Sequence, residues 1–264
     1  MMILEYGTQL SPSPILLSIG SIRKPKLHEI ADITFGKFNF YEILTKMTPD
    51  VYYEKVLQKT DEKWNAMSNR EKENSVIYDF LISDEHLQKL YLELLNFFFV
   101  EKVIFREEIF ILLKDGYSED DELSVESVRG VIGKESFPQV MDLIQQVCCI
   151  YSKENTKEEP KFKNSIAKEI YEKIHKGEQK HSAKYDINLS IPNIISSVSA
   201  KHPSINMLNI WDMTVFQLID TFHRLQTNAI YDIDSARVSA WGDEKKTFDV
   251  SLWYKNNYDK PDQL

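Results

Sequence analysis

One segment carries a strong helical signal and constrains the fold more than any other. In DEHLQKLYLELLNFFF, residues 84–99, apolar side chains recur every three or four positions, which is the spacing of one face of an α-helix. The residues on this face are Leu87, Leu90, Tyr91, Leu94, Leu95 and Phe98. Because a continuous apolar face must be covered, the segment predicts a core helix.

Signals for helix starts recur along the chain. Thr48 is a good N-cap residue, and Ser68 with Glu71 forms the Ser-x-x-Glu pattern of a capping box. Asp212 is predicted to cap a helix in NIWDMTVFQLIDTFHRLQTN, residues 209–228. The apolar face of this helix comprises Val215, Leu218, Ile219, Phe222 and Leu225. Composition favours helices too, since 8 Gly and 9 Pro in 264 residues are few for a turn-dense β-sandwich.

The fold class that follows is mainly α-helical, a multi-helix bundle with a small β-hairpin near the N-terminus. The hairpin is predicted from the strand-like runs MILEY and ILLSI, which the turn-prone GTQLSPSP separates. Residues 102–113, KVIFREEIFILL, fit a strand and a helix equally well, and SVESVRGVI at 124–132 is assigned to a helix. SARVSAW and TFDVSLWY, towards the C-terminus, are compatible with a second hairpin.

A polar segment divides the chain. SKENTKEEPKFKNS, residues 152–165, is almost without apolar residues. We therefore expect a mainly helical domain at residues 1–152, a linker at 153–165 and a helical domain at 166–264. The charge is uneven along the chain. Residues from Lys161 to Lys184 include seven Lys and three Glu, whereas residues 115–122 hold five acidic residues and no basic one. This asymmetry fits either a charged partner or a solvated surface.

Charge and cysteine content restrict partners and compartment. A net charge of −9 and a pI near 5.3 argue against nucleic acid as a partner. Cys148 and Cys149 are adjacent, so a disulfide between them would be strained, and we expect buried thiols in a reducing compartment. The apolar run LLNFFFV at 94–100 is too short to cross a bilayer, and the N-terminus lacks a secretory signal. The protein is expected in the cytoplasm, with no membrane partner.

Candidate sites for chemistry are weak. GVIGKES at 130–136 lacks the first Gly and the Ser or Thr after Lys that a phosphate-binding loop needs, and it predicts a helix–turn–helix corner instead. The acidic loop at 115–122 lacks the ligand order of a calcium loop. His175 and His181 approach a zinc spacing, but they stand in a lysine-rich segment that favours solvated histidines. We predict no bound metal and no cofactor.

One enzymatic alternative remains open. Asp234 and Glu244 supply the carboxylates, and Lys246 the amine, of a metal-dependent nuclease. An acidic chain without a basic groove is poorly suited to hold DNA, however. The sequence therefore predicts a protein that is not an enzyme and has no catalytic residues.

Aromatic residues are numerous. The chain has 14 Phe, 13 Tyr and 4 Trp, more large side chains than a minimal core needs, and aromatic residues are favoured at interfaces. The candidate partner-binding residues are Phe97, Phe98, Phe99, Trp211, Phe216 and Trp253, with burial in the core as the alternative for most of them. Because Phe97 to Phe99 span about 200° of a helix, one ring is expected at an interface or in a second packed layer.

Several segments together resemble a group of phage and prophage proteins of Gram-positive bacteria. They are LLSIGSIRKPKLHEIADITFGKFNFYEILTKMTPDVYY, ELSVESVRGVIGKES, NIWDMTVFQLIDTFHRL and SLWYKNN. Members of this group look like products of the tail-gene region, where tail assembly chaperones are encoded. The resemblance implies a non-enzymatic protein of the host cytoplasm that binds the tape-measure protein and recruits tail tube subunits. It leaves open a homo-oligomer and a structural role in the virion, as a tail or baseplate adaptor.

Overall fold

The computed structural model describes residues 3–55, 62–121, 123–149, 187–244 and 247–256. The chain divides into two units. The first comprises Met1–Ile150, Trp211–Gln217 and Tyr254–Leu264, and the second comprises Tyr151–Ile210 and Leu218–Trp253. The predicted linker at 153–165, the basic stretch from Lys161 to Lys184, and His175 and His181 lie outside the described residues. The predicted domain boundaries stay a prediction.

The first unit combines helices with two antiparallel sheets. Its helices are α1 (Tyr6–Leu10), α2 (Leu27–Ile33), α3 (Phe35–Thr45), α4 (Pro49–Lys55), α5 (Glu62–Ala66), α6 (Asn69–Asn74), α7 (Ile77–Leu81), α8 (Glu85–Phe98) and α9 (Phe137–Val147). Strands β1 (Ile15–Leu17) and β2 (Gly20–Ile22) form a hairpin, and β3 (Val103–Arg106), β4 (Ile109–Leu113) and β5 (Val128–Ile132) form a sheet in that order.

The second unit, as far as it is described, is helical. It contains α10 (Ile191–Lys201) and all but the first turn of α11 (Val215–Trp241). Helix α10 buries Ile194, Ile195 and Val198. The ring of Tyr231 on α11 contacts that of Phe248 at a centroid distance of 5.5 Å.

The prediction of a mainly α-helical bundle is wrong, because the protein has a mixed α/β fold. The undecided residues 102–113 form β3 and β4, and the segment 124–132 assigned to a helix ends in β5. At 130–136, therefore, a strand leads into α9, and there is no helix–turn–helix corner. Strands β3 and β4 pair with Phe105 opposite Phe110, and β4 and β5 pair with Phe110 opposite Ile132.

The two predicted hairpins have different outcomes. A hairpin exists near the N-terminus, but its strands are β1 and β2, and most of the segment predicted as its first strand and turn forms α1 or irregular structure. The C-terminal hairpin is wrong, since SARVSAW belongs to α11 and Leu252–Tyr254 is a short 3-10 helix.

The predicted starts of α4 and α6 are confirmed. The Val51 amide donates to Thr48 Oγ1 at 3.4 Å, and Ser68 and Glu71 exchange the two hydrogen bonds of a capping box. Asp84 caps α8 by accepting from the backbone amides of its first turn. The predicted core face of α8 is buried, with Leu90 half-buried at its edge.

Thr214, not Asp212, begins the helix in residues 209–228. The Gln217 amide donates to Thr214 Oγ1 at 3.3 Å, and the Thr214 amide donates to Gln217 Oε1 at 3.0 Å, so the two form a Thr-x-x-Gln capping box. Asp212 instead pairs with Lys26 Nζ at 3.2 Å. Gln217 also donates from Nε2 to the Leu10 carbonyl at 2.8 Å. The polar residues at the start of this helix therefore build its cap and tie it to the N-terminal segment.

An aromatic cluster fills the core of the first unit. The Phe137 ring lies 5.2 Å from Tyr78 and 5.1 Å from Tyr91 in edge-to-face contacts, and 6.2 Å from Phe110 in a stacked one. The Tyr78 hydroxyl donates to the carbonyls of Glu108 and Ile132. Burial raises the pKa of Tyr78 to about 12. The cluster thus joins α7, α8 and α9 to the sheet.

Residues after α8 extend the N-terminal hairpin. The Arg23 amide donates to the Phe98 carbonyl at 2.8 Å, and the Val100 amide donates to the Ser21 carbonyl at 2.9 Å. The Asn96 side chain donates to the Val103 carbonyl at 2.8 Å and accepts from the Val103 amide at 3.0 Å. One asparagine therefore supplies the hydrogen bonds of a missing strand partner and joins the end of α8 to β3.

The turn between β3 and β4 is strained. Glu107 and Glu108 have φ of 51° and 63°, a left-handed conformation that favours Asn and Gly in two-residue hairpins. We expect Glu107→Asn combined with Glu108→Gly to raise the free energy of unfolding by about 1 kcal/mol, because the replacements adopt this conformation at lower cost. Urea unfolding measures the difference. The control, Glu107→Gln with Glu108→Gln, removes both charges but keeps the strain, and an equal gain there would contradict the backbone explanation.

Candidate functional site

An open apolar groove in the first unit is the candidate site. It lies between the β1–β2 hairpin and α9 and has a volume of about 950 Å³. The described residues that line it are Leu16, Leu17, Ser18, Ile19, Ser136, Pro138, Gln139, Val140, Asp142 and Leu143. Leu16 is 80% exposed, so one wall presents an apolar side chain to solvent. A groove of this kind suits an apolar segment of a partner.

The hairpin wall is held by a close approach to the sheet. A Cβ atom on Gly130 would lie only 2.6 Å from Ile19 Cα, so β5 admits the hairpin turn only because it has glycine there. A Cβ on Gly20 would likewise overlap Leu112 Cδ2. The Ser21 amide donates to Glu101 Oε2 at 2.8 Å. The position of the groove's first wall is therefore set by backbone contacts with little freedom to shift.

The α9 wall is held from its opposite face. Phe137 lies in the aromatic cluster, and Gln145 Nε2 donates to the Thr45 carbonyl at 2.8 Å. Gln146 Nε2 donates to Asp142 at 2.9 Å, and Gln146 Oε1 accepts from the Leu4 amide at 2.8 Å. Packing on α3 and the sheet thus leaves the other face of α9 to line the groove.

The groove is suited to binding. Its lining combines aliphatic side chains with hydroxyls and one amide, and Asp142 is the charged residue among the described lining residues. A carboxylate beside an apolar surface favours a partner with Lys or Arg next to its apolar residues.

Within the described part of the chain, no helix is both long and apolar enough to cross a lipid bilayer.

Half-buried Glu42 on α3 and buried Cys148, which follows α9, are two titratable groups close enough to interact. Burial raises the pKa of Glu42 to about 7, and nearby Lys46 opposes the shift. Burial also raises the pKa of the Cys148 thiol well above its ordinary value, with the Glu42 charge adding to the effect. Cys148 is therefore a protonated, poorly reactive thiol at neutral pH. Neither cysteine is in a disulfide; Cys148 is buried and Cys149 is half-buried.

The predicted partner-binding residues fall into two groups. Phe97, Phe98, Phe99 and Phe216 are all buried, so their rings are not available to a partner in this conformation. Phe99 lies just past the end of α8 and forms an isolated backbone bridge with Ile22. Trp211 is half-buried, and its carbonyl contacts His28 Nδ1 at 3.1 Å. Trp253 is 53% exposed. The structure brings none of the six to the groove.

The residues of the nuclease alternative are only partly described. Asp234 is bound to Arg237 Nε at 3.2 Å, Glu244 is exposed, and Lys246 lies outside the described residues. Among the described residues, no group of three or more His, Cys, Asp or Glu side chains could hold a metal ion.

A second exposed apolar surface lies on α11. From Ile219 to Trp241 every residue keeps at least partial exposure, and Ile230 and Ile233 are 54% and 70% exposed. The apolar face predicted for this helix ends at Leu225 and does not include this surface. Helical spacing of apolar residues continues beyond Leu225, but the final part of the segment is predicted as a hairpin strand.

A family model matches the C-terminal part of the chain. Residues 178–258, less than a third of the chain, are similar to the YomV second domain, a phage-associated family from Bacillus prophage regions. The chain has no significant match to a curated protein or to a solved structure. The matched residues include α10 and α11, and the match supports a relation of this part of the chain to phage proteins.

Gly130 is a position at which an added side chain should disturb the hairpin wall of the groove. We expect Gly130→Ala to lower the free energy of unfolding by about 2–4 kcal/mol, because the new methyl group overlaps the Ile19 backbone. Thermal and urea unfolding measure the loss. Gly133→Ala is the matched control, since a Cβ there meets Ile109 Cγ2 at an ordinary 3.8 Å and should change stability by less than about 0.5 kcal/mol. Equal effects of the two substitutions would contradict the close-approach explanation.

Glu42 should make stability depend on pH. Its pKa in the folded protein, about 7, lies above the ordinary 4.5, so folding favours the protonated carboxyl. The contribution to stability is complete below about pH 4.5 and is lost as pH rises through 7. We expect Glu42→Gln to be more stable than the wild type at pH 8 by about 1–3 kcal/mol and to be close to it at pH 5. Unfolding curves at both pH values test this, with exposed Glu135→Gln as the control; a constant difference between Glu42→Gln and wild type would count against it.

Proposed function

We propose that this protein is a non-enzymatic tail assembly protein of a phage, and that it acts as a chaperone by holding a helical segment of the tape-measure protein. The observation that carries the proposal is the open apolar groove between the β1–β2 hairpin and α9. Similarity of residues 178–258 to a phage-associated family supports the phage context. The resemblance to tail assembly chaperones supplies the proposed partner.

The groove offers what an amphipathic helix requires. Leu16 and Ile19 on one wall and exposed Pro138 on the other supply apolar contacts on two sides, while the lining residues Val140 and Leu143 are buried. Such a groove binds a helix through apolar residues at positions i, i+3, i+4 and i+7. Asp142 adds a charge that favours Lys or Arg beside that face. Binding would keep an apolar segment covered in the host cytoplasm until tail tube subunits assemble around it.

A pull-down tests the proposal with a substitution in the groove. Leu16→Asp places a charge on the exposed apolar wall and should reduce the recovery of tape-measure protein from cells expressing the phage late genes at least tenfold. Val125→Asp is the matched control, because Val125 is a 92% exposed aliphatic residue outside the groove lining. Circular dichroism and unfolding curves check that both variants fold.

The outcomes separate the chaperone from its alternatives. Recovery of the tape-measure protein by the wild type and Val125→Asp, but not by Leu16→Asp, supports the proposal. Stoichiometric presence of the protein in purified particles would instead favour a structural tail or baseplate component. Equal recovery by both variants would exclude the groove as the binding site.

A further inference from the structure

The exposed part of α11 has the residue spacing of a coiled coil. Phe222, Gln226, Ala229, Ile233, Ala236 and Ala240 follow one another at alternating intervals of four and three residues. We call these six residues the α11 seam. Alternating intervals of this kind place side chains along one line that faces a partner helix, with Gln226, Ile233 and Ala240 at a positions and the others at d positions. The seam spans about 27 Å of helix, enough for a two-stranded contact.

The described residues leave the seam uncovered. Ile233, at its centre, is 70% exposed, and Ile230 beside it is 54% exposed. Gln226, Ala236 and Ala240 are also exposed. Three seam positions, Ala229, Ala236 and Ala240, are alanines, whose small side chains allow a second helix to approach closely.

The charges beside the seam indicate which helix that is. Asp232 occupies a g position and Arg237 the e position five residues later. In a parallel two-stranded coiled coil, the g residue of one helix lies next to the e residue five positions further along the other. Two copies of α11 would therefore bring Asp232 next to Arg237 of the partner subunit, and this pairing would occur twice by symmetry.

An antiparallel pair of the same helices lacks this complementarity. There, e positions face e positions and g positions face g positions, so Arg237 would meet Ile230 or another Arg237. Asp232 would similarly meet Leu225, Ser239 or another Asp232. Like charges in contact are unfavourable, and a charge opposite an aliphatic residue gains no ion pair. The charge pattern thus favours the parallel orientation.

We propose that a second copy of this chain covers the α11 seam and forms a parallel, two-fold symmetric dimer. Ile233 packs against the partner's Ile233 at the centre, and Gln226 pairs with the partner's Gln226. A polar residue at one a position fixes the register of such a pair at a cost in stability. The dimer uses a surface separate from the groove, so each proposal can fail without the other.

Sedimentation velocity of the purified full chain, from micromolar concentrations to about 200 µM, tests the dimer. We expect concentration-dependent dimerisation of the wild type, and at least a tenfold rise in Kd for Ile233→Asp. Val250→Asp is the control, since Val250 is 62% exposed in the same unit but lies outside the seam. A wild type that stays monomeric at the highest concentration, or an Ile233→Asp variant that dimerises equally well, overturns the proposal.

Charge exchange and cross-linking test the orientation. Asp232→Arg and Arg237→Asp should each weaken the dimer, and the two together should restore it, because the ion pairs then form with exchanged signs. Ala229→Cys and Ala236→Cys should each form a disulfide with its own copy upon oxidation, whereas Asn228→Cys, away from the seam, should not. The parallel register is contradicted if the double variant does not regain the dimer. It is also contradicted if Asn228→Cys forms the disulfide while Ala229→Cys and Ala236→Cys do not.

Discussion

The hydroxyls of two buried tyrosines constrain the arrangement of the first unit. A buried hydroxyl without a partner costs about 1–3 kcal/mol, so each hydroxyl must meet an acceptor where its ring packs. The Tyr91 hydroxyl hydrogen-bonds the Leu44 carbonyl in the last turn of α3. The Tyr78 hydroxyl hydrogen-bonds the carbonyls of Glu108 and Ile132 in the sheet. Since both rings also contact Phe137, the hydrogen bonds and the aromatic packing specify the same positions for α9 and the strands.

That constraint is what allows a groove to stay open at the surface. One face of α9 packs on the aromatic cluster and on α3, and the other face lines the groove. The hairpin opposite is held through backbone contacts at Gly130 and through the residues that follow α8. Both walls are therefore fixed largely by backbone contacts and by buried side chains, and an exposed side chain such as Leu16 is available for recognition.

The sequence predicted helices better than it predicted the sheet or the site. Caps such as Ser68 with Glu71 are local patterns, and they were confirmed. Strand β4 is buried on both faces and shows no alternation, and its turn uses two glutamates where Asn-Gly is expected, so neither periodicity nor turn chemistry revealed the hairpin. The groove joins residues 16–19 to residues 136–143, a proximity that no local pattern encodes. Aromatic residues suit both an interface and a core, and composition alone does not separate the two uses; Phe98 is in the core.

The contacts of residues 211–217 bear on how the protein is made. The Leu27 amide donates to the Met213 carbonyl, and Lys26 forms an isolated β-bridge with Thr214. The Gln217 side chain donates to the Leu10 carbonyl. The N-terminal segment is therefore completed by residues about 200 positions later. Contacts of such long range close late, because the intervening chain must first exist. During translation the first unit therefore emerges with an unfilled edge. Its folding is completed only after residue 217 has left the ribosome, so the packing of α1 and α2 depends on synthesis of most of the chain.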